Sequence, residues 1–295
     1  MLLVTGATGF IGKEVVGRLI RKGYKIRALC IDTDDAKNLP KGVDAVIGDI
    51  THHQSLISAT EGIDTVIHLA GIISYSKSIE ELFRINAIGT KNLLRHCGKV
   101  KKFILSSSVS VYGEIKGEAD ENYPPSPGNH YGESKLKAEQ FVRESGLNHV
   151  ILRIAPIYGV ASPVWKRNLR LLEKGFPIPS TDSMTHVVHV SDVAEAFVRA
   201  VEKGSGTYNI ADSSPIRFTD FAEKLVTLLG KKPRKLPHFM VRGIAAVMGM
   251  GNYLRVLTIN RHYVIRKAEK ELGYRPKADV QKELKRMVDW YRGLS

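Results

Sequence analysis

The start of this 295-residue chain constrains its fold most strongly. An apolar strand pattern, Leu2–Thr5, runs at once into Thr5-Gly6-Ala7-Thr8-Gly9-Phe10-Ile11-Gly12 and then into an amphipathic helix over Ile11–Arg21. Glycine at these three positions meets three demands: a tight turn, close approach of bare backbone to a ligand, and tight packing of helix on strand. The helix start then offers free N–H groups and the positive end of its dipole, which suits phosphate. Between a first strand and a first helix, the triplet predicts a cradle for a dinucleotide pyrophosphate.

The pattern after this turn alternates in the same sense. Apolar runs at Lys25–Cys30, Ala45–Ile47, Thr65–Leu69, Phe103–Ser106 and Val150–Arg153 lack the period of two that a one-sided strand would show, as expected of strands covered on both faces. Helical patterns lie between them, notably Glu80–His96 and Tyr131–Glu144. Strand–helix alternation implies parallel pairing through right-handed crossovers, hence an α/β fold with a doubly wound parallel sheet. Beyond Arg153 the rhythm loosens around Pro156, Pro163, Pro177, Pro179 and Pro215, with helices expected at Ser191–Lys203 and Thr219–Leu229. We therefore expect a dinucleotide-binding core over residues 1–155. Residues 156–295 are expected to add one or two late strands and a smaller, mostly helical substrate lobe.

Composition narrows the setting. Two cysteines, Cys30 and Cys97, make neither a disulfide framework nor a zinc site, and no histidine–acid spacing suggests a metal. With no basic, apolar leader at the start, a cytoplasmic protein is expected. The net charge of +14 is uneven: residues 1–150 hold 19 Lys+Arg against 17 Asp+Glu, and residues 151–295 hold 25 against 13. A basic second half suits an anionic substrate or an acidic membrane surface. Aromatics do not alternate with the basic residues, which argues against nucleic acid. The apolar stretch Leu236–Ile259 has an uncharged run of only Gly243–Leu254, too short to span a bilayer, and reads as helices walling an apolar pocket.

The G-x-x-G-x-x-G spacing resembles the short-chain dehydrogenase/reductase superfamily, and later motifs resemble its extended, epimerase/dehydratase branch. They are Gly48-Asp49-Ile50, Ile67-His68-Leu69-Ala70-Gly71, Asn86-x-x-Gly89-Thr90-x-Asn92, Ser106-Ser107-Ser108-Val109-Ser110-Val111-Tyr112-Gly113, Tyr131-Gly132-Glu133-Ser134-Lys135 and His189-Val190-Ser191-Asp192-Val193-Ala194. The resemblance runs the length of the chain. It implies cofactor contacts at Gly6, Thr8, Gly9, Phe10, Ile11, Gly12, Asp49, Ile50, Leu69, Ala70, Gly71, Tyr131 and Lys135. Relatives with NAD carry an acid at the end of the second strand, where this chain has Cys30; Asp32 is the nearest carboxylate and no arginine follows. A carboxylate there repels a 2′-phosphate, so NAD is expected through Asp32, with NADP left open. The competing reading of Asp32 is a simple turn cap.

Tyr131 and Lys135 stand four apart on an expected helix and so share a face. A neighbouring cation favours a phenolate. The resemblance makes Tyr131 the acid/base, Lys135 its activator and ribose ligand, and Ser108 the partner of the reacting substrate oxygen. It gives Asn86 either a structural or a proton-relay role. Two enzyme classes remain open: a dehydrogenase or reductase of a secondary alcohol or ketone, and a nucleotide-sugar 4-epimerase with retained NAD. A non-catalytic dinucleotide-binding scaffold is the third reading. Nucleotide-sugar relatives carry an Asn where this chain has Ala155, and an Arg where it reads Met184-Thr185-His186, which favours the alcohol class. Asn168 and His186 are the substrate-contact candidates, Asn168 being ringed by Lys166, Arg167 and Arg170. The family's pairing habit implies a homodimer through Glu80–His96 and Tyr131–Glu144.

Overall fold

The computed structural model describes residues 1–73 and 78–294. In chain order its elements begin with β1 (Leu2–Thr5), α1 (Phe10–Arg21), β2 (Ile26–Cys30), α2 (Thr33–Ala36), β3 (Asp44–Ile47), α3 (Ile57–Thr60) and β4 (Thr65–His68). There follow α4 (Ile79–Leu82), α5 (Gly89–Leu94), β5 (Lys102–Ser108), α6 (His130–Glu144) and β6 (His149–Ile154). The remainder comprises β7 (Ile157–Tyr158), α7 (Pro163–Glu173), β8 (Ile178–Ser180), β9 (Met184–Thr185), β10 (Val188–His189), α8 (Val190–Glu202) and β11 (Gly206–Ile210). The chain ends with β12 (Ile216–Arg217), α9 (Phe218–Leu228), β13 (Lys235–Pro237), α10 (His238–Val247), α11 (Gly251–Thr258) and α12 (Val280–Arg292).

Seven strands form one parallel sheet in the order β11-β6-β5-β4-β1-β2-β3. Every residue of β1 and β4 is buried, which is why their central positions are apolar without alternation and their polar ends, Thr5 and His68, are hydrogen-bonded to each other. One face is covered by α1 and α8 through Val15, Val16, Leu19, Val193 and Phe197. The other is covered by α5 and α6 through Leu93, Ala138 and Val142. This is the doubly wound parallel sheet expected from the sequence. Of the later strands only β11 joins it; the remaining short strands pair off in twos.

Helix starts follow local chemistry. Asn129 caps α6 by accepting from the Gly132 amide at 2.9 Å, and Ser162 caps α7 ahead of Pro163. At α1 the cap is Gly9, with no side chain to take the free amides. One expected element is broken. The helix read as Glu80–His96 contains a π-helical stretch, Phe83–Ile88, between α4 and α5. The Asn86 side chain lies in it, and a π segment re-aims side chains in a way that sequence periodicity does not encode.

Candidate active site

The sheet order reverses between β1 and β4, so the crevice beyond their carboxyl ends is where such a fold opens. The glycine turn closes one side of it. Gly6 has φ +68°, and a β-carbon there would stand 2.8 Å from the Ala70 amide nitrogen; one at Gly12 would overlap the Gly6 carbonyl. The backbone after β1 thus lies against Leu69 and Ala70 and leaves the α1 amides open toward the crevice.

A chain of buried hydrogen bonds fixes these two strand ends. The Ala70 amide donates to Thr5 Oγ1 at 3.1 Å, and the Thr5 hydroxyl donates to His68 Nδ1 at 2.7 Å. His68 Nε2 then donates to Thr90 Oγ1 at 3.0 Å, and Thr90 to the Asn86 carbonyl at 2.7 Å. Each donor finds one acceptor only if the imidazole is neutral. Burial, with the nearby Lys135 charge, drives its pKa down to about 3. His68 and Thr90 belong to motifs of the resemblance, but no local pattern marks Thr5 as the third member of their relay.

The candidate triad comes from two neighbouring elements. Ser108 ends β5, and its Oγ accepts from the Ser110 amide at 3.1 Å and donates to Ser110 Oγ at 3.2 Å. Tyr131 opens α6, whose first turn presses on that same loop: a β-carbon on Gly132 would overlap the Ser110 carbonyl. Lys135 lies one turn on, buried, with Nζ 3.9 Å from where a Gly71 β-carbon would stand. Burial pulls the Lys135 pKa down to about 8, against an opposing pull from Glu139. Glu139 is buried as well; burial alone would raise its pKa, but Arg153 and Ser107 hold its carboxyl below the usual range. Ser107 donates to Glu139 at 2.6 Å and Arg153 grips it at 3.0 and 2.8 Å, so this cluster locks β5, β6 and α6 together behind Ser108.

Tyr131 faces an open cleft of about 950 Å³ that also meets Leu82, Asn129, Asn252, Arg255 and Ile259. Sequence reasoning missed Asn252 and Arg255; their signal is a polar pair three apart within an apolar run. Asn252, Arg255, Val256 and Ile259 form one stripe of α11 and its end, facing the cleft. Met250, Tyr253, Leu254 and Leu257 form the opposite stripe, facing a second cavity of about 610 Å³. That pocket is walled by Trp165, Phe176, Ile178, Phe218 and Leu225, and the 610 Å³ includes open space at its mouth, the enclosed part being about 70 Å³. The pocket-walling role expected of Leu236–Ile259 is therefore met by α11.

Other expected site residues are placed as follows. Asp32 caps α2, accepting from the Asp35 amide at 2.7 Å, the turn-capping role weighed against a ribose contact. Asp49 accepts from the Thr51 amide at 2.7 Å, while Ile50 is buried with its carbonyl taking Asn92 Nδ2 at 3.0 Å. Thr8, Phe10 and Ile11 are part-buried along the glycine turn and first helical turn. Asn86 is spent on structure: it accepts from the Ile72 amide at 2.8 Å and donates to the Ile72 carbonyl and Ser134 Oγ, each at 3.0 Å. Asn168 lines the apolar cavity, where its Oδ1 accepts from the Tyr253 hydroxyl. His186 is not brought to the cleft. Its Nε2 donates to the Asp212 carbonyl at 2.8 Å and its Nδ1 accepts from the Tyr263 amide at 3.1 Å, and burial lowers its pKa to about 4. Among the described residues no cluster of His, Cys, Asp or Glu could hold a metal.

Comparison with known proteins fits this geometry. Residues 2–211 match the model of the NAD dependent epimerase/dehydratase family. The chain belongs to that family. Epimerase/dehydratase relatives along its full length include the mouse sterol-4-alpha-carboxylate 3-dehydrogenase, decarboxylating, which is 28% identical and covers 99% of this chain and 91% of its own. A 3-beta-hydroxysteroid dehydrogenase of Mycolicibacterium neoaurum is 28% identical over 99% of this chain and 92% of its own. Among solved structures, the UDP-glucose 4-epimerase of Thermus thermophilus in complex with NAD superposes with TM-score 0.81 and 27% identity, covering 100% of this chain and 99% of the other. The epimerase/dehydratase member described here is thus an NAD-linked enzyme of the extended short-chain dehydrogenase/reductase type.

Proposed function

We propose that the protein is an NAD-dependent dehydrogenase or reductase that interconverts a secondary alcohol and its ketone on a largely apolar substrate. The carrying observation is that the cleft facing Tyr131 takes apolar walls from Leu82, Val256 and Ile259, with a second apolar pocket on the other face of α11. Asn168, the amide expected to grip a nucleotide sugar, lies in that second pocket and is bonded to Tyr253. The relatives named as sterol and hydroxysteroid dehydrogenases support the same substrate class.

The residues present suit the cofactor. Gly6 and Gly12 leave room that a β-carbon would fill, and α1 begins without a side-chain cap, so its amides and dipole are free for a pyrophosphate. In this reading Gly6, Thr8, Gly9, Phe10, Ile11 and Gly12 hold the phosphates. Asp49, Ile50, Leu69, Ala70 and Gly71 line the adenine and ribose side. Asp32 keeps its second carboxylate oxygen for the ribose hydroxyls. When bound, NAD supplies the hydride acceptor or donor. In the oxidative direction Tyr131 takes the hydroxyl proton as the substrate carbon loses hydride; in reduction it returns that proton to the carbonyl oxygen. Ser108 hydrogen-bonds the same oxygen, and the buried Lys135 ammonium favours the phenolate and holds the nicotinamide ribose.

Residues 1–155 form the dinucleotide-binding unit in this reading, and residues 156–295 close the substrate side. The protein works in the cytoplasm as a homodimer, for which the exposed Ile79 and Ile88 on the α4–α5 segment supply apolar contact.

A second reading, a UDP-sugar 4-epimerase, is favoured by one feature: Arg255 lines the cleft beside Tyr131, where it would meet an anionic group. One experiment separates the two. The purified protein is denatured, its released nucleotide weighed by mass spectrometry, and the enzyme assayed with NAD against hydroxysteroids and UDP-glucose. Exchangeable NAD with steroid oxidation supports the dehydrogenase. Near-stoichiometric retained NAD with UDP-galactose formation overturns it. Inactivity toward every substrate, unchanged by Tyr131→Phe, would point to a scaffold.

A further inference from the structure

Among the described residues the two most exposed large apolar side chains lie on one helix. Phe239 is 74% exposed and Val247 91%, and Met240, Ile244 and Met248 are exposed with them. On α10 and its C-cap Met248 these fall into two adjacent rows, Phe239-Gly243-Val247 and Met240-Ile244-Met248, each at a spacing of four. The opposite side of the same helix is buried: Val241 and Ala245 pack on Leu254, Phe176 and Met250. The helix is thus held to the lobe by one face and presents a broad apolar face to the outside. Single exposed apolar residues are ordinary, but a continuous stripe is not.

The chain that leads into and along this stripe carries basic charge and no acid of its own. No Asp or Glu stands between Glu223 and Glu269, while Lys231, Lys232, Arg234, Lys235 and Arg242 lead into and along α10. Of these, Lys235 is paired, with Glu223 at 2.7 Å; the rest are exposed. A second copy of this chain would have to bring acids to this face, and the stripe itself holds none. An apolar helix face framed by cations matches the interface of an anionic bilayer, where the side chains enter the acyl boundary and the cations meet headgroups.

We infer that α10 lies flat on anionic membrane surfaces and docks the enzyme there. The helix has ten residues, and among the described residues no helix is long and apolar enough to cross a membrane, so the attachment is to one leaflet and reversible. Its position matters. Met250 and Leu254, which pack under α10, also wall the apolar pocket on the face of α11 opposite the Tyr131 cleft, so the docked face lies next to that pocket. The apolar-substrate reading gives docking a purpose, but docking stands on the stripe and the charge alone and is tested without turnover.

The test is co-sedimentation of the whole protein with vesicles of phosphatidylcholine alone and of phosphatidylcholine mixed with phosphatidylglycerol. Binding is expected to the mixed vesicles, weakening with salt, and to be reduced at least about tenfold in Phe239→Ser/Val247→Ser. Both positions are solvent-exposed, so melting temperature and NAD binding should be unchanged in the variant. The charge variant Lys231→Gln/Arg242→Gln should lose the preference for anionic lipid while keeping the fold. Failure of the wild type to sediment with mixed vesicles overturns the proposal. So does sedimentation that the serine variant leaves intact. A wild-type oligomer that the serine variant dissociates, without vesicle binding, would instead assign the stripe to a second copy.

Discussion

The Thr5 hydroxyl and the His68 imidazole meet at 2.7 Å, joining the carboxyl ends of two strands 63 residues apart in sequence, at the point where the sheet order reverses. This bond orients the glycine turn against the Leu69–Ala70 backbone and fixes the imidazole tautomer. It also explains why a threonine, rather than another apolar residue, ends β1.

Thr5→Val keeps the shape but leaves His68 Nδ1 and the Ala70 amide without partners. The expected cost is about 1–3 kcal/mol of stability, with weaker NAD binding, whereas Thr5→Ser restores both. Urea denaturation and a fluorescence titration with NAD measure the two effects. Loss of stability that serine does not rescue would count against the relay.

Gly9→Ala sets a β-carbon 3.3 Å from the Gly6 carbonyl, a contact the turn can absorb, at the spot where the pyrophosphate would approach. We expect a folded protein with NAD affinity lowered at least about tenfold. Gly12→Ala, whose β-carbon would overlap the Gly6 carbonyl, should instead fail to fold or melt far earlier. Circular dichroism and calorimetric titration distinguish the two.

Lys135 is a catalytic candidate that costs stability. Its pKa falls from 10.5 to about 8 on burial, so near neutral pH the folded protein carries a penalty of roughly 3 kcal/mol, relieved as pH rises from 8 toward 10.5. Lys135→Met should therefore raise the melting temperature at pH 7 while reducing turnover by at least about a thousandfold. Tyr131→Phe should remove comparable activity with NAD binding retained. A Lys135→Met protein that melts earlier would show that the amine has a stabilising partner.

Acid should unfold the protein through buried histidines. His68 and His186 are held at about 3 and 4, below the 6.5 of an unfolded histidine, so each contributes stability that is complete above pH 6.5 and is lost as pH falls toward those values. Asp212 opposes them: burial lifts its carboxyl from 3.8 to about 7, so it gains stability over the same range. These three groups together take up one extra proton on unfolding, contributing a fall of roughly 1.4 kcal/mol per pH unit between about pH 6 and 4, to which His189, also lowered by burial, adds in the same direction. His186→Gln, whose amide can replace one of the two ring bonds, should flatten that slope, as read by urea midpoints at pH 7 and pH 5.

Much of this protein was legible along the chain because its signals are local. Unbroken apolar runs mark strands covered on both faces, a glycine triplet marks the turn, and Tyr131 and Lys135 share a helix face by spacing alone. What sequence left open depended on distant partners. The helix read as Glu80–His96 is wound into a π segment at Phe83–Ile88, with Asn86 spent on Ile72 and Ser134 rather than free in the site. His186, legible as a substrate contact, is taken by Asp212 and Tyr263. The stretch Leu236–Ile259 showed its apolar character plainly, but helical spacing does not say which stripe faces what. Only packing turned one side of α11 to Tyr131, the other to the apolar cavity, and left the face of α10 uncovered. Local propensity fixes an element; which of its faces loses water is decided by what the rest of the chain brings against it.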